Sequence, residues 1–163
     1  MAGKSTVSGK AGAGAPSYQV VRLRPEHRPD WERLYAGYAA FYKVEQTPQM
    51  RATVWRWIFD EDNELEALIA ADASGRAVGL AHFRAMLRPL RAVVAGFLDD
   101  LFVEPGLRGS GVAQALMNAV AKIGRANGWA SIRWITAEDN YRARSFYDRI
   151  SARTVFLTYE MKL

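Results

Sequence analysis

The 163-residue chain has no cysteine and only two histidines, His27 and His82. Without thiols there is no disulfide, no thiolate metal site and no cysteinyl acyl-enzyme, and two histidines are too few for a histidine-rich zinc centre. No metal is therefore expected. Long apolar runs are also missing. The run over residues 92–98 falls far short of the roughly 20 residues of a membrane-spanning helix, and the N-terminus lacks the apolar stretch of a signal peptide. The expectation is a cytoplasmic protein with no membrane partner. Nor does either sign of charge gather in one block: 22 Lys and Arg are interspersed with 17 Asp and Glu. Two of the five net positive charges, Lys4 and Lys10, lie near the N-terminus. This balance argues against nucleic-acid binding.

What the chain does have is half its residues apolar and 12% aromatic. A compact fold of this length buries roughly 70% of the surface its unfolded chain exposes, enough for a core without staples. Residues 1–17, rich in Gly, Ala, Ser and Lys with Val7 the only large apolar side chain after Met1, cannot offset ordering entropy and are expected to be a disordered tail. Residues 18–163 are expected to form one domain. Alternation from Tyr18 to Leu23 predicts a strand that stops before Pro25. Asp30 is placed to cap a helix carrying Trp31, Leu34, Tyr35, Tyr38, Phe41 and Tyr42. Thr47 and Pro48 open a second helix with Val54, Trp55, Ile58 and Phe59 on one stripe. A hairpin is expected from 65–71 and 77–86 around Ser74 and Gly75, then a strand over 93–103. A helix beginning near Val112 ends at Asn127 and Gly128. A strand over 131–136, a helix over 140–150 and a final alternating strand over 153–163 complete the pattern. Strands that precede and alternate with helices give an α/β fold, a mixed sheet covered on both faces.

Between the strand ending at Val103 and the helix at Val112 lies a turn of small residues, with Arg108, Gly109, Ser110 and Gly111 in sequence. Such a turn exposes backbone N–H groups at a helix N-terminus and makes an anion cradle. Equally, the glycines could serve only to permit positive φ. The turn contains no Gly-Lys-Ser/Thr, which excludes a P-loop there; the chain's Gly3-Lys4-Ser5 stands far from it in sequence. Gln114 stands where the dinucleotide fingerprint requires glycine or alanine.

The pattern Arg108-x-x-Gly111-x-Ala113 resembles the pyrophosphate signature of the GNAT acyl-CoA N-acetyltransferases. Leu98, Asp99, Asp100, Leu101, Phe102, Val103, Glu104 and Pro105 before it fall where that family places them. So does Asn140-x-x-Ala143-x-x-x-Tyr147 after it. From Tyr18 onward the chain is similar to the branch of fungal histone and D-amino-acid acetyltransferases, through Trp31, Leu34, Tyr35, Phe41, Tyr42, His82 and Trp134 among others. Residues 98–103 also resemble the corresponding stretch of the polyamine acetyltransferases. The resemblance implies a mostly antiparallel central sheet flanked by about four helices, with splayed central strands. It implies acetyl-CoA as co-substrate, bound by Leu101, Phe102, Val103, Arg108, Gly109, Ser110, Gly111, Val112, Ala113, Asn140 and Tyr147. The implied reaction is direct transfer of acetyl to a primary amine, such as a polyamine, an amino acid or a protein lysine. A catalytically silent CoA-binding sensor is the alternative.

Amine acetylation demands a neutral nucleophile. An unperturbed lysine-like amine, pKa about 10.4, is neutral in roughly one molecule in 2,500 at pH 7, a cost of about 4.6 kcal/mol. A carboxylate that attracts the cation and takes its proton removes that obstacle. Asp99 and Asp100 are the candidates, and strand alternation sends them to opposite faces unless a bulge intervenes. By resemblance Asp99 is the base, acting through water because it is one methylene shorter than the glutamate of the polyamine enzymes. Asp100 is then a substrate or structural carboxylate. Tyr147, two helical turns from Asn140 on nearly the same face, is the candidate acid for the departing thiolate. His82 reads either as an accessory base or as a hydrogen-bonded core residue. The family often ends in two strands after the tyrosine helix. Here only one fits, and the edge left short of a partner predicts a homodimer.

Overall fold

The computed structural model describes residues 18–163; the expected tail over 1–17 lies outside the described residues. The chain divides into two compact units, one ending at Arg133 and one spanning Trp134–Leu163. Strands β1 (Gln19–Arg22), β2 (Glu66–Ala71), β3 (Ala77–Arg88), β4 (Val93–Val103) and β5 (Ile132–Trp134) form a sheet in the order β1-β2-β3-β4-β5. Helices α1 (Arg28–Phe41) and α2 (Pro48–Phe59) come between β1 and β2, and α3 (Val112–Ala126) and α4 (Tyr141–Ile150) follow β4 and β5. The first four strands pair antiparallel with their neighbours. Ala130 N donates to Val94 O and Gly96 N donates to Ser131 O. These bonds advance together along both segments, so β5 joins β4 in parallel. The edge strand β5 has three residues against eleven of β4. The mixed, mostly antiparallel sheet and the four helices agree with the expected architecture.

Local chemistry sets most boundaries. Thr47 Oγ1 accepts from Met50 N at 3.2 Å and, with Pro48 behind it, starts α2. Asp72 Oδ1 accepts from the backbone N–H groups of Ser74 and Arg76 and closes the β2-β3 turn, with Gly75 at φ 86°. The start of α1 differs from expectation. Its N-cap is His27, without a capping side-chain bond, and Asp30 lies inside the helix. The Asp30 carboxylate is drawn away to Ala77 N and Arg33, a long-range bond that fixes α1 on the start of β3.

One face of the sheet carries α1 and α2. Trp31 and Leu34 of α1 pack with Leu23, Ala67, Ile69, Ala77, Leu80 and Phe102, and Val54, Trp55 and Ile58 of α2 pack against that cluster. The other face carries α3. A Cβ at Gly79 would lie 2.8 Å from Val112 Cγ1, so only glycine lets the first turn of α3 settle on β3.

In the C-terminal unit Asn140 caps α4, its Oδ1 accepting from Ala143 N. The expected final strand is absent. Residues 152–163 have no regular structure and are exposed, Val155 at 91% and Tyr159 at 88%. The alternation of Val155, Leu157, Tyr159 and Met161 suits a strand. A strand also needs a neighbour for its N–H and C=O groups.

Candidate active site

Strand β4 leads through Leu101, Phe102 and Val103 into the turn before α3, so the two aspartates and the Gly-rich segment stand on one strand-turn-helix unit. The register of β3 on β4 pairs His82 with Asp100 and Phe83 with Leu98, which leaves Asp99 as an extra residue, a β-bulge. The bulge cancels the alternation that would have separated the acids. Asp100 Oδ2 lies 2.8 Å from His82 Nδ1, and Asp99 lies 3.3 Å from Arg84 Nε. His82 and Arg84 are two positions apart on β3 and share a face. Both acids therefore face the side occupied by α1.

The two carboxylates differ in their surroundings. Burial pushes Asp99 above the ordinary carboxylate range; Arg84 pulls it down and neighbouring Asp100 pushes it up again. Its Arg84 contact is long, 3.4 Å as a hydrogen bond to Oδ1, and the buried Oδ2 takes none. Oδ2 is within ion-pair distance of Arg84, but the N–H does not point at it. An unsatisfied, partly desolvated carboxylate oxygen is a site where a proton is welcome. Asp100 instead receives His82 and is hydrogen-bonded with Tyr35. Burial first, then the Asp100 charge, push the Tyr35 hydroxyl well above the ordinary phenol value, so it stays a donor.

Tyr35 and Trp31 are the residues sequence reading missed as part of this site. Both stand on the aromatic stripe of α1. Their spacing of four places them one above the other on the helix, and the signal that separates them from core aromatics is their polar edge. Trp31 is fully buried, and a buried indole N–H needs an acceptor. It finds His82 Nε2 at 2.8 Å. His82 is thus a core histidine held on both nitrogens, and the reading of it as an accessory base is not supported by this geometry.

At the turn, Gly109 and Gly111 both adopt positive φ, 93° and 98°. The first bond of the α3 ladder runs from Ala115 N to Gly111 O. The amides of Val112, Ala113 and Gln114 therefore lie ahead of the ladder, and a side chain built on Gly111 would meet open space. Free amides, a helix dipole and room beside the backbone fit a pyrophosphate. Ser110 Oγ donates to Leu107 O and accepts from Tyr18, so its hydroxyl shapes the turn. The Arg108 guanidinium stands 4.8 Å from the Phe41 ring centre.

In the C-terminal unit, Tyr147 is half-buried, its ring 5.3 Å from that of Trp134. Asn140, expected to bind cofactor, spends its side-chain oxygen on the cap of α4. Among the described residues no group of three His, Cys, Asp or Glu is arranged to hold a metal, and no helix is long and apolar enough to cross a membrane.

With this geometry in place, the comparisons identify the class. The model of the Acetyltransferase (GNAT) family matches residues 30–151, and the chain belongs to that family. It is an N-acetyltransferase, of a family that uses acetyl-CoA. It is similar to the D-amino-acid N-acetyltransferase HPA3 of Saccharomyces cerevisiae, 25% identical over 142 residues, 86% of this chain and 88% of the relative. Among solved structures it resembles the ribosomal-protein-alanine N-acetyltransferase of Brucella melitensis biovar Abortus 2308. That likeness has a TM-score of 0.72 at 22% identity and covers 90% of this chain and all of the other. It also resembles the aminoglycoside N-acetyltransferase AAC(6')-Iy in complex with CoA, with a TM-score of 0.79 at 19% identity, over 93% of this chain and 99% of the other.

Proposed function

We propose that the protein transfers an acetyl group directly from acetyl-CoA to a primary amine that arrives as a cation. The observation that carries this reading is the bulge at Asp99, which turns two adjacent carboxylates in unlike surroundings to one face. Asp100, held by two donors, attracts the ammonium group. Asp99, raised by burial, takes its proton through a bridging water, as its short side chain suggests. The amides of Val112 and Ala113, with Gly109 and Gly111, hold the pyrophosphate, and the backbone of Leu101, Phe102 and Val103 meets the pantetheine amides. Tyr147 donates a proton to the departing thiolate. The family match running through both compact units supports treating residues 18–163 as one transferase domain. The D-amino-acid, ribosomal-protein-alanine and aminoglycoside acceptors in the names of its relatives are all amines, which favours this class without choosing among them. The test is release of CoA thiol from acetyl-CoA with a panel of polyamines, D- and L-amino acids and basic peptides. Cofactor binding without release would favour a sensor.

We also propose that the protein works as a cytoplasmic homodimer, in which residues 154–163 pair as a strand with a second copy. The support is their alternating apolar pattern together with their exposure in the single chain.

A further inference from the structure

We propose that Trp31, acting through His82, is a positioning device that aims the Asp100 carboxylate at the incoming amine. The inference rests on the amine-transfer reading above for its consequence, though not for its geometry. An indole N–H can only donate. Since Trp31 Nε1 lies 2.8 Å from His82 Nε2, that nitrogen must present its lone pair. A neutral imidazole has one donor and one acceptor, so the His82 proton is on Nδ1 and points at Asp100 Oδ2, 2.8 Å away. A proton on Nε2 would set two N–H groups against each other.

The ring itself is clamped. Tyr35 stands edge-on to the imidazole, ring centres 4.8 Å apart at 88°, and the Trp31 ring lies at 6.0 Å. His82 and Trp31 are both fully buried, so neither can exchange its partner for water. An apolar pair would fill the same space without the desolvation cost of an imidazole and an indole N–H. The polar chain ends on Asp100 alone. It therefore fixes one carboxylate oxygen while Tyr35 bonds to the same carboxyl group, and the direction of the remaining lone pairs is set by α1 and β3 rather than by solvent.

The test has two readouts. Long-range proton-nitrogen correlation spectra of the imidazoles are simple here, because the chain has only His27 and His82. In the unmodified protein at neutral pH, His82 is expected to carry its proton on Nδ1, with Nε2 showing the nitrogen shift of a hydrogen-bonded acceptor; in Trp31→Phe the Asp100 carboxylate keeps the proton on Nδ1 and the Nε2 shift is expected to move to that of an acceptor without a donor. A proton on Nε2 in the unmodified protein, or an unchanged Nε2 shift in Trp31→Phe, overturns the proposal. In kinetics, His82→Leu is expected to raise the amine KM about tenfold, the size of one hydrogen bond to a charged group, with kcat within about twofold. His82→Asn, whose amide can take the Nδ1 position, is expected to recover most of that loss. Unchanged KM in His82→Leu overturns the positioning role while leaving amine transfer intact. Absence of turnover with every amine in the unmodified protein overturns the functional reading instead, and the tautomer experiment still decides whether the lock exists. Should His82→Leu fail to fold, the Nε2 shift and the amine KM of Trp31→Phe decide.

Discussion

Asp100 and His82 face each other across the β3-β4 ladder with 2.8 Å between Oδ2 and Nδ1, and this pair marks where the register breaks. One residue earlier, Asp99 is the bulge and leans to Arg84. The unlike surroundings of the two carboxylates follow from that local irregularity.

Asp99→Asn separates catalysis from stability. A carboxyl raised in the folded state is still protonated there at a pH where the unfolded chain, near the ordinary value of about 3.9, has ionised. Its stabilising contribution is present below that ordinary value and lost as pH rises through the raised one. At neutral pH the ionised Asp99 is therefore a cost. The variant is expected to melt higher than the parent at pH 7, with the gap closing below about pH 4, while turnover falls by about 10²-fold or more. Melting curves across this range and steady-state rates check both.

Gly111→Ala puts a side chain at φ 98°, where the surrounding space is open and only backbone strain opposes it. A loss of about 1–2 kcal/mol is expected, with weaker CoA binding as the amides of the turn reorient. Denaturant titration measures the first and calorimetry with CoA the second.

Tyr147→Phe keeps the ring that packs on Trp134 and removes the hydroxyl. Turnover is expected to fall about 10²-fold or more with CoA affinity preserved. Equal turnover would remove Tyr147 from the role of acid.

Ending the chain after Ser151 deletes the exposed apolar segment. Sedimentation is expected to show a dimer for the full chain and a monomer for the shortened one. A monomer in both cases would contradict pairing through residues 154–163.

Much of this was legible in the sequence where the determinants are local. Thr47 and Pro48 announced α2, Asp72, Ser74 and Gly75 the hairpin, and 93–103 was β4 to the residue. Where the deciding partner is distant, sequence reading fell short. Asp30 has the chemistry of a cap, but Ala77 N, brought near only by folding, takes its carboxylate. The bulge at Asp99 depends on register with β3, which no stretch of β4 encodes alone. Trp31 and Tyr35 follow the spacing of a core stripe, and their polar edges gain meaning only when His82 and Asp100 arrive opposite. The segment over 153–163 has strand alternation without a strand partner among the described residues, which is why periodicity overstated it.

The central claim is tested most directly by following thiol release from acetyl-CoA with a thiol reagent, since the protein has no cysteine of its own to contribute. With the amine panel the account predicts release that depends on at least one primary amine and is largely abolished in Asp99→Asn. Saturable binding of acetyl-CoA with no amine-dependent release from any member of the panel would contradict it.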